Sequence, residues 1–109
     1  MIEVGDLGAK FISEIMSTKD CIVKELKLSK IKVSNQGAKY IFKAFQMNNS
    51  IYSCNLSKNL ITDEIIEVII KCLSKNEVLK VLNLSHNQIS PSYVEKLKAS
   101  CLNRLKLII

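Results

Sequence analysis

Residues 79–89 read LKVLNLSHNQI, and the same pattern stands at 51–61 as IYSCNLSKNLI and at 23–33 as VKELKLSKIKV. In each segment apolar residues hold the first, fourth, sixth and eleventh positions, and the ninth is Asn in the two later copies. Successive copies follow one another at a constant offset of 28. A fixed period of this length indicates supersecondary units stacked in a row, so this repeat decides the fold.

Two different periods alternate within each unit. Residues 82–84 are apolar at every second position, which is typical of a short strand with one buried face. Apolar residues at helical spacing follow the second copy: Ile65, Ile66, Ile69, Ile70 and Leu73. Residues that cap a helix or pre-set its first turn mark the helix starts: Asp6, Ser34 or Asn35, Thr62 or Asp63, and Ser90 followed by Pro91. The unit is therefore strand, turn, helix, turn.

Partial units flank the three full ones. VGDLGAKFI at 4–12 matches VSNQGAKYI at 33–41 at an offset of 29, which makes the beginning of the chain the second half of a repeat. We expect a single domain over 1–109, divided into a half repeat (1–20), full repeats (21–49, 50–77 and 78–101) and a terminal strand (102–109). The terminal strand restarts the pattern with Leu102, Leu105 and Leu107, sooner after the third copy than a full repeat would allow.

Asn59 and Asn87 stand where the chain turns off the strand. A buried side-chain amide there can satisfy backbone groups that a sharp turn removes from regular pairing. Ile31 holds the equivalent position in the first copy and cannot do this. We therefore predict a more irregular turn after the first strand.

These segments resemble the ribonuclease-inhibitor-like class of leucine-rich repeats, a frame found in cytosolic inhibitors, NOD-like receptors, Ran GTPase activators and tropomodulins. The resemblance covers nearly the whole chain and departs from the pattern at Cys54, in place of a core Leu, and at Ile31, in place of Asn. It implies an α/β fold: a right-handed solenoid with a short parallel sheet on the concave face and helices on the convex face. Proteins that share this frame bind unrelated targets.

Composition excludes several classes of function. Apolar residues make up 48% of the 109, with 3 Gly and 1 Pro, as in a folded globular chain. The 16 basic and 10 acidic residues give a net charge of +6, but only Arg104 is Arg and the 3 Tyr are scattered. Nucleic-acid readers rely on Arg and on interleaved aromatic residues, so this composition argues against nucleic acid as the partner.

The four cysteines, Cys21, Cys54, Cys72 and Cys101, are far apart in the sequence, and their spacing fits neither a redox pair nor a set of zinc ligands. With 1 His in the chain, we expect no metal and no cofactor. Each Cys stands in or beside an apolar segment, where a free thiol acts as a small hydrophobe. This pattern favours a reducing, cytoplasmic location, with the cytoskeleton as one possibility, and no apolar run is long enough for membrane insertion.

Residues for catalysis are missing from the pattern. His86 is the side chain whose ordinary pKa lies nearest neutrality, and its repeat counterpart is Lys58 in a turn. Asp63 and Glu64 stand at a helix start, where the amide dipoles favour negative charge. No glycine-rich phosphate loop is present. The sequence predicts that the protein is not an enzyme.

Two surfaces are candidates for binding another protein. Strand residues between the buried positions face the concave side and give the first candidate set: Glu25, Lys27, Ser53, Asn55, Val81, Asn83, Arg104 and Lys106. We predict one lateral row of Lys27, Asn55, Asn83 and Lys106, and another of Ser29, Ser57 and Ser85. The second candidate is the C-terminal edge, Leu107, Ile108 and Ile109, where an open strand edge and apolar side chains favour a partner chain.

We expect a non-enzymatic interaction or scaffold module, a small subunit of a larger intracellular hetero-assembly that contains protein partners. One alternative is a regulator of a small GTPase like the Ran GTPase activators, which would speed GTP hydrolysis by its partner. Another is a basic module on an acidic filament or on nucleic acid, whose binding would fall steeply with added salt.

Overall fold

Strands and helices alternate along the chain as the repeat predicts. The computed structural model describes residues 4–101 and 104–109. Its elements are α1 (Val4–Met16), β1 (Glu25–Lys27), α2 (Asn35–Phe45), β2 (Ser53–Asn55), α3 (Ile66–Leu73), β3 (Val81–Asn83), α4 (Pro91–Ser100) and β4 (Lys106–Ile108). A 3-10 turn, Asp63–Ile65, leads into α3. The prediction of an α/β repeat fold is confirmed.

The four strands form one parallel sheet in the order β1-β2-β3-β4. Leu26 pairs with Cys54, Cys54 with Leu82, and Leu82 with Leu107. The interval between paired central residues is therefore one full repeat at each of the first two steps and is shorter at the last. Consecutive parallel strands joined by helices are the arrangement that a repeat solenoid requires.

The core lies between the sheet and the helices. Leu26, Cys54 and Leu82 are buried at the centres of their strands. From the helices, Phe42 and Phe45 are fully buried, with ring centroids 5.9 Å apart. Each repeat thus contributes one strand side chain and one helix face, and neither could be buried without its neighbours.

Asn59 satisfies backbone groups at a turn, as predicted, and this turn belongs to the preceding repeat. Its Oδ1 accepts from the backbone N–H of Ile31 at 3.1 Å and of Val33 at 3.0 Å, while its Nδ2 donates to Leu28 O at 2.9 Å. The same Nδ2 donates to its own strand end, at Leu56 O and Ser57 O. Asn87 serves the second turn in the same way.

The first turn is more irregular than the others, as predicted. Lys30 and Lys32 both adopt the left-handed conformation there, with φ of 59° and 60°. The later turns each contain one such residue, Lys58 (57°) and His86 (58°). A residue with a Cβ is disfavoured in this region, so the additional left-handed residue makes the first turn the more strained one.

Replacing Asn59 by Ala is expected to lower the free energy of unfolding by about 3 kcal/mol, because several buried backbone groups lose their partner at once. Chemical denaturation followed by circular dichroism measures the change. Asn49→Ala is the matched control, since Asn49 is exposed. Equal stability losses in the two variants would contradict the structural role of Asn59.

The start of each helix is also held by the preceding repeat. Ser34, Thr62 and Ser90 occupy the predicted cap positions. Their backbone N–H groups donate to carboxylate or amide oxygens one repeat earlier: Ser34 to Asp6 at 2.7 Å, Thr62 to Asn35 at 2.9 Å and Ser90 to Asp63 at 2.7 Å. Asp6 lies in the first turn of α1, at the predicted helix start, but its carboxylate accepts from the start of α2, including Gly37 N at 3.2 Å.

Gly37 is tightly enclosed at this contact. A Cβ there would overlap the Asp6 carboxylate and lie 3.1 Å from Val33 Cγ1, whereas a Cβ on Gly8, its counterpart in α1, would meet nothing within 4 Å. The difference shows that α1 covers this face of α2, while the same face of α1 is open.

We therefore expect Gly37→Ala to destabilise the fold by about 1–3 kcal/mol, through displacement of Asp6. Gly8→Ala should stabilise it by about 0.5–1 kcal/mol, because Ala loses less backbone entropy in an unobstructed helix. Thermal and urea unfolding of the two variants measures both effects. A destabilised Gly8→Ala variant would show that this face of α1 is covered.

Candidate functional site

The sheet face, meaning the side of the sheet turned away from the helices, carries most of the predicted concave-face residues in lateral rows. The first row contains Glu25, Ser53, Val81 and Lys106, and the second contains Lys27, Asn55, Asn83 and Ile108. The prediction that Lys106 continues the row of Lys27 is wrong. The terminal strand pairs in a later register than the pattern of leucines indicates, so Lys106 joins the row of Glu25 and Ile108 takes its place.

Arg104 is not a residue of the sheet face, which corrects a second prediction. It precedes β4, and its Nη2 donates to Leu73 O at 2.6 Å and to Asn76 O at 3.0 Å, at the end of α3. Asn76 and Asn48, at the equivalent positions of the two preceding repeats, bind the ends of the preceding helices through Phe45 O at 2.7 Å and Met16 O at 3.0 Å. Arg104 is therefore the third member of a structural series.

This series was missed in the sequence because the repeat was aligned on its leucines. The regular spacing of positions 48, 76 and 104 was visible as a signal, but Arg in the last position conceals it. Only the hydrogen bonds show that Asn and Arg perform one task here.

The predicted C-terminal edge is less exposed than expected. Leu107 and Ile109 are partly buried and pack against the core, because they stand level with Leu82 and Leu84. Ile108 is 37% exposed and lies on the sheet face. The expectation of three apolar side chains open to a partner therefore holds for one of them. Leu102, the first residue of the predicted terminal pattern, lies outside the described residues.

Charge is divided unevenly between the two sides of the repeat. The strand-and-turn segments 24–32, 52–60, 80–88 and 106–109 contain seven lysines and one glutamate. The net charge of these segments, +6, equals the net charge of the whole chain. The rest of the chain balances nine basic with nine acidic residues. Lys30, Lys58 and His86 occupy the same left-handed turn position in successive repeats and are all exposed. They form a row along one border of the sheet face.

The single glutamate of these segments is already engaged. The Tyr52 hydroxyl donates to Glu25 Oε1 at 3.2 Å, and this hydrogen bond raises the pKa of Tyr52. Asn55 and Asn83 use their side-chain oxygens on the backbone N–H groups of Ser57 and Ser85, at 2.9 and 3.0 Å. The lysines are thus the main charged groups that this side of the molecule offers to a partner.

On the helix side, two lysines of α4 lie near carboxylates. Lys96 forms an ion pair with Glu67 across α3 and α4, and the hydrogen bond to Glu67 raises the pKa of Lys96. Lys98 lies 3.9 Å from Glu95 within α4. This mixture of charges gives no consistent field for an acidic partner, in contrast to the strand-and-turn side.

Sequence reasoning also missed an apolar surface on the first helix. Leu7, Phe11 and Ile15 follow one another at a spacing of four and are 46%, 57% and 55% exposed. Ile22, on the segment that leads to β1, is 82% exposed. We call Leu7, Phe11 and Ile15 the α1 patch. The helical spacing of these residues was the available signal.

Other kinds of site find little support. Within residues 4–101 and 104–109, no three His, Cys, Asp or Glu side chains come together as a metal site would require. No helix in the described part of the chain has both the length and the apolar character needed to cross a membrane. His86 is an exposed turn residue like Lys58.

The cysteines are free thiols in contrasting surroundings. Complete burial raises the pKa of Cys54 to about 12. Cys21 is partly exposed, and its Sγ accepts from Ser50 Oγ at 3.5 Å, a hydrogen bond that lowers its pKa. Asn48 donates to the same sulfur at 3.5 Å. Cys21 is therefore the better nucleophile of the two.

Iodoacetamide should modify Cys21 in the native protein near neutral pH and leave Cys54 untouched until the chain unfolds, because alkylation requires an accessible thiolate. Mass spectrometry of peptides labelled over a pH series measures this. Ser50→Ala should shift the labelling of Cys21 to higher pH. Native labelling of Cys54 at the rate of Cys21 would contradict this description of the core.

Comparison with known proteins agrees with the fold. A leucine-rich repeat family model matches residues 75–97. No curated protein matches the sequence. Among solved structures, one described as Leiomodin-1 Actin-Binding Site 2 is similar, with a TM-score of 0.82, 21% sequence identity and coverage of 94% of this chain. The match spans 62% of that chain, less than two thirds of its length. The chain therefore has a leucine-rich-repeat fold built on a parallel four-stranded sheet, and residues 75–97 match a leucine-rich repeat.

Proposed function

We propose that this chain is a non-enzymatic interaction module that binds an acidic protein surface through its sheet face and the adjoining turns. The observation that carries the proposal is the separation of charge: the strand-and-turn segments contain the full net charge of +6, and the remainder is neutral. A surface of one sign attracts a partner of the opposite sign before contact and orients it.

The chemistry of this surface defines the kind of binding. Lysine is a flexible, strongly hydrated cation that contributes attraction more than a fixed geometry. Tyr52 is the aromatic residue at the sheet, and Ile108 is an exposed apolar side chain in the second row. We therefore expect fast association and strong dependence on salt, with Tyr52 and Ile108 as the apolar contacts.

Actin is the partner that we would test first. The similar structure is described as an actin-binding site of leiomodin-1, and it shares the repeat fold over most of this chain. An acidic filament was also one of the alternatives that the basic charge suggested. We place the protein in the cytoplasm or on the cytoskeleton, as a small subunit of a larger protein assembly.

Co-sedimentation with actin filaments over a salt series tests the proposal. We expect binding at low ionic strength that weakens steadily as salt is added, because charge pairs are screened. A double variant of turn lysines, Lys30→Glu with Lys58→Glu, should weaken binding about tenfold or more. The matched control reverses two exposed lysines on the helices, Lys39→Glu with Lys71→Glu, and should retain most of the affinity.

Two results would overturn this assignment. Equal losses in the turn and helix variants would mean that binding follows total charge and not the sheet face. Tighter binding of a duplex oligonucleotide than of actin, at equal salt, would move the protein to the nucleic-acid alternative. The protein could instead fail to bind actin and bind another acidic protein, with an affinity that the Lys30 and Lys58 variants reduce. That result would support binding through the sheet face and replace actin as the partner.

A further inference from the structure

Part of the α1 patch lies on a face of the helix that is covered in α2. The α2 equivalent of Ile15 is buried, whereas those of Phe11 and Leu7, namely Tyr40 and Gln36, are half-buried and exposed. In α2, the equivalents of Gly8 and Ile15 are Gly37 and Ala44, which are both buried. Gly37 is enclosed by Asp6 of α1, and Ala44 lies on the same face two turns later. In α1 the same face has open space at Gly8 and an exposed Ile15. The face of α1 that contains Gly8 and Ile15 therefore has the shape and chemistry of a helix-packing surface.

Among the described residues, β1 pairs with a strand on one side only, through β2. Lys24 O accepts from Tyr52 N at 2.9 Å and Leu28 N donates to Asn55 O at 2.8 Å, so these residues direct their backbone groups toward β2. Because backbone groups alternate in direction along a strand, the N–H and C=O groups of Glu25 and Lys27 point away from the sheet. An edge of this kind is a template for pairing with another strand.

The opposite end of the solenoid has different chemistry. Phe42, fully buried on α2, corresponds to the partly buried Ile70 in α3 and to the exposed Lys98 in α4. Pro91 holds the place of Asn35 and Asp63, whose side chains accept from the next helix start. Stacking this end of one copy on α1 of another would bring the charged Lys98 toward an apolar surface, which disfavours a head-to-tail chain.

We propose that a second copy of this chain covers the α1 patch across a two-fold axis, with β1 antiparallel to β1 and α1 packed against α1. An axis through Leu26 makes the strand Glu25-Leu26-Lys27 complementary to itself. Glu25 then lies directly opposite Lys27 of the second copy, twice per dimer, and opposite charges facing each other across a strand pair stabilise it. Glu25 and Lys27 are also the residues whose backbone groups are free to form the antiparallel hydrogen bonds.

This dimer would extend the sheet to eight strands and place the two basic sheet faces side by side. The arrangement does not depend on which acidic protein the module binds. It would give one dimer two equivalent sites for a partner with repeated acidic surfaces, so the second contact would form at a high effective concentration.

Sedimentation equilibrium of the whole protein, from low micromolar to near-millimolar concentration, tests the proposal. We expect a reversible shift from 12.3 kDa to twice that mass, without larger species. Phe11→Glu should weaken the dimer at least tenfold, since it places charge in the packed helix surface. Leu60→Glu is the matched control, because Leu60 is also an exposed apolar residue but lies in the turn after β2.

The charge pair gives the sharper test. Lys27→Glu should weaken the dimer by setting two carboxylates opposite one another, and adding Glu25→Lys to that variant should restore it by exchanging the charges. A monomer at all concentrations, growth beyond a dimer, or a dimer unchanged by Phe11→Glu would each overturn the proposal. Circular dichroism of every variant separates lost association from lost folding.

Discussion

Side chains of one repeat satisfy the buried backbone of the repeat before or after it, and the rest of the structure depends on this exchange. Asn59 completes the turn of the first repeat, Asn76 binds the end of α2, and Asp6 holds the start of α2. At this turn and at these helix ends, backbone groups are buried from water and have no hydrogen-bond partner within the regular strand or helix. Without the neighbour they would be left unsatisfied, so the repeats are stable only as a stack.

The same exchange accounts for the difference between the two ends of the solenoid. Toward the C-terminus, Arg104 replaces the Asn of the helix-end series, Pro91 replaces the acceptor of the helix-start series, and Lys98 replaces an apolar residue. These substitutions make that end polar. At the other end, α1 exposes Leu7 and Phe11 where α2 has Gln36 and Tyr40. A surface suited to packing is therefore exposed at one end, and the interaction chemistry of the module is directional.

The solenoid also separates charge from packing. Each repeat places its strand and turn on one side and its helix on the other, so residues one repeat apart in sequence become a row in space. Lysines at scattered positions in the chain thereby collect on one side, while acidic residues balance the lysines of the helices. Lysines that are scattered along the sequence thus lie on one side of the folded molecule, and a surface with one sign of charge can select a partner.

The sequence by itself determined the repeat length, the order of strand and helix, the buried leucine positions and the task of Asn59 and Asn87, because periodic burial and turn chemistry are local properties. Only the tertiary structure decided the register of β4, the role of Arg104 and the exposure of the α1 patch. The register depends on how a shortened connection reaches the sheet, and Arg104 is defined by carbonyls of the preceding repeat, far from it in sequence. Whether Phe11 and Ile15 belong to the core or to the surface depends on whether another helix packs against them. The spacing of apolar residues in the sequence is the same for a buried and for an exposed helix face.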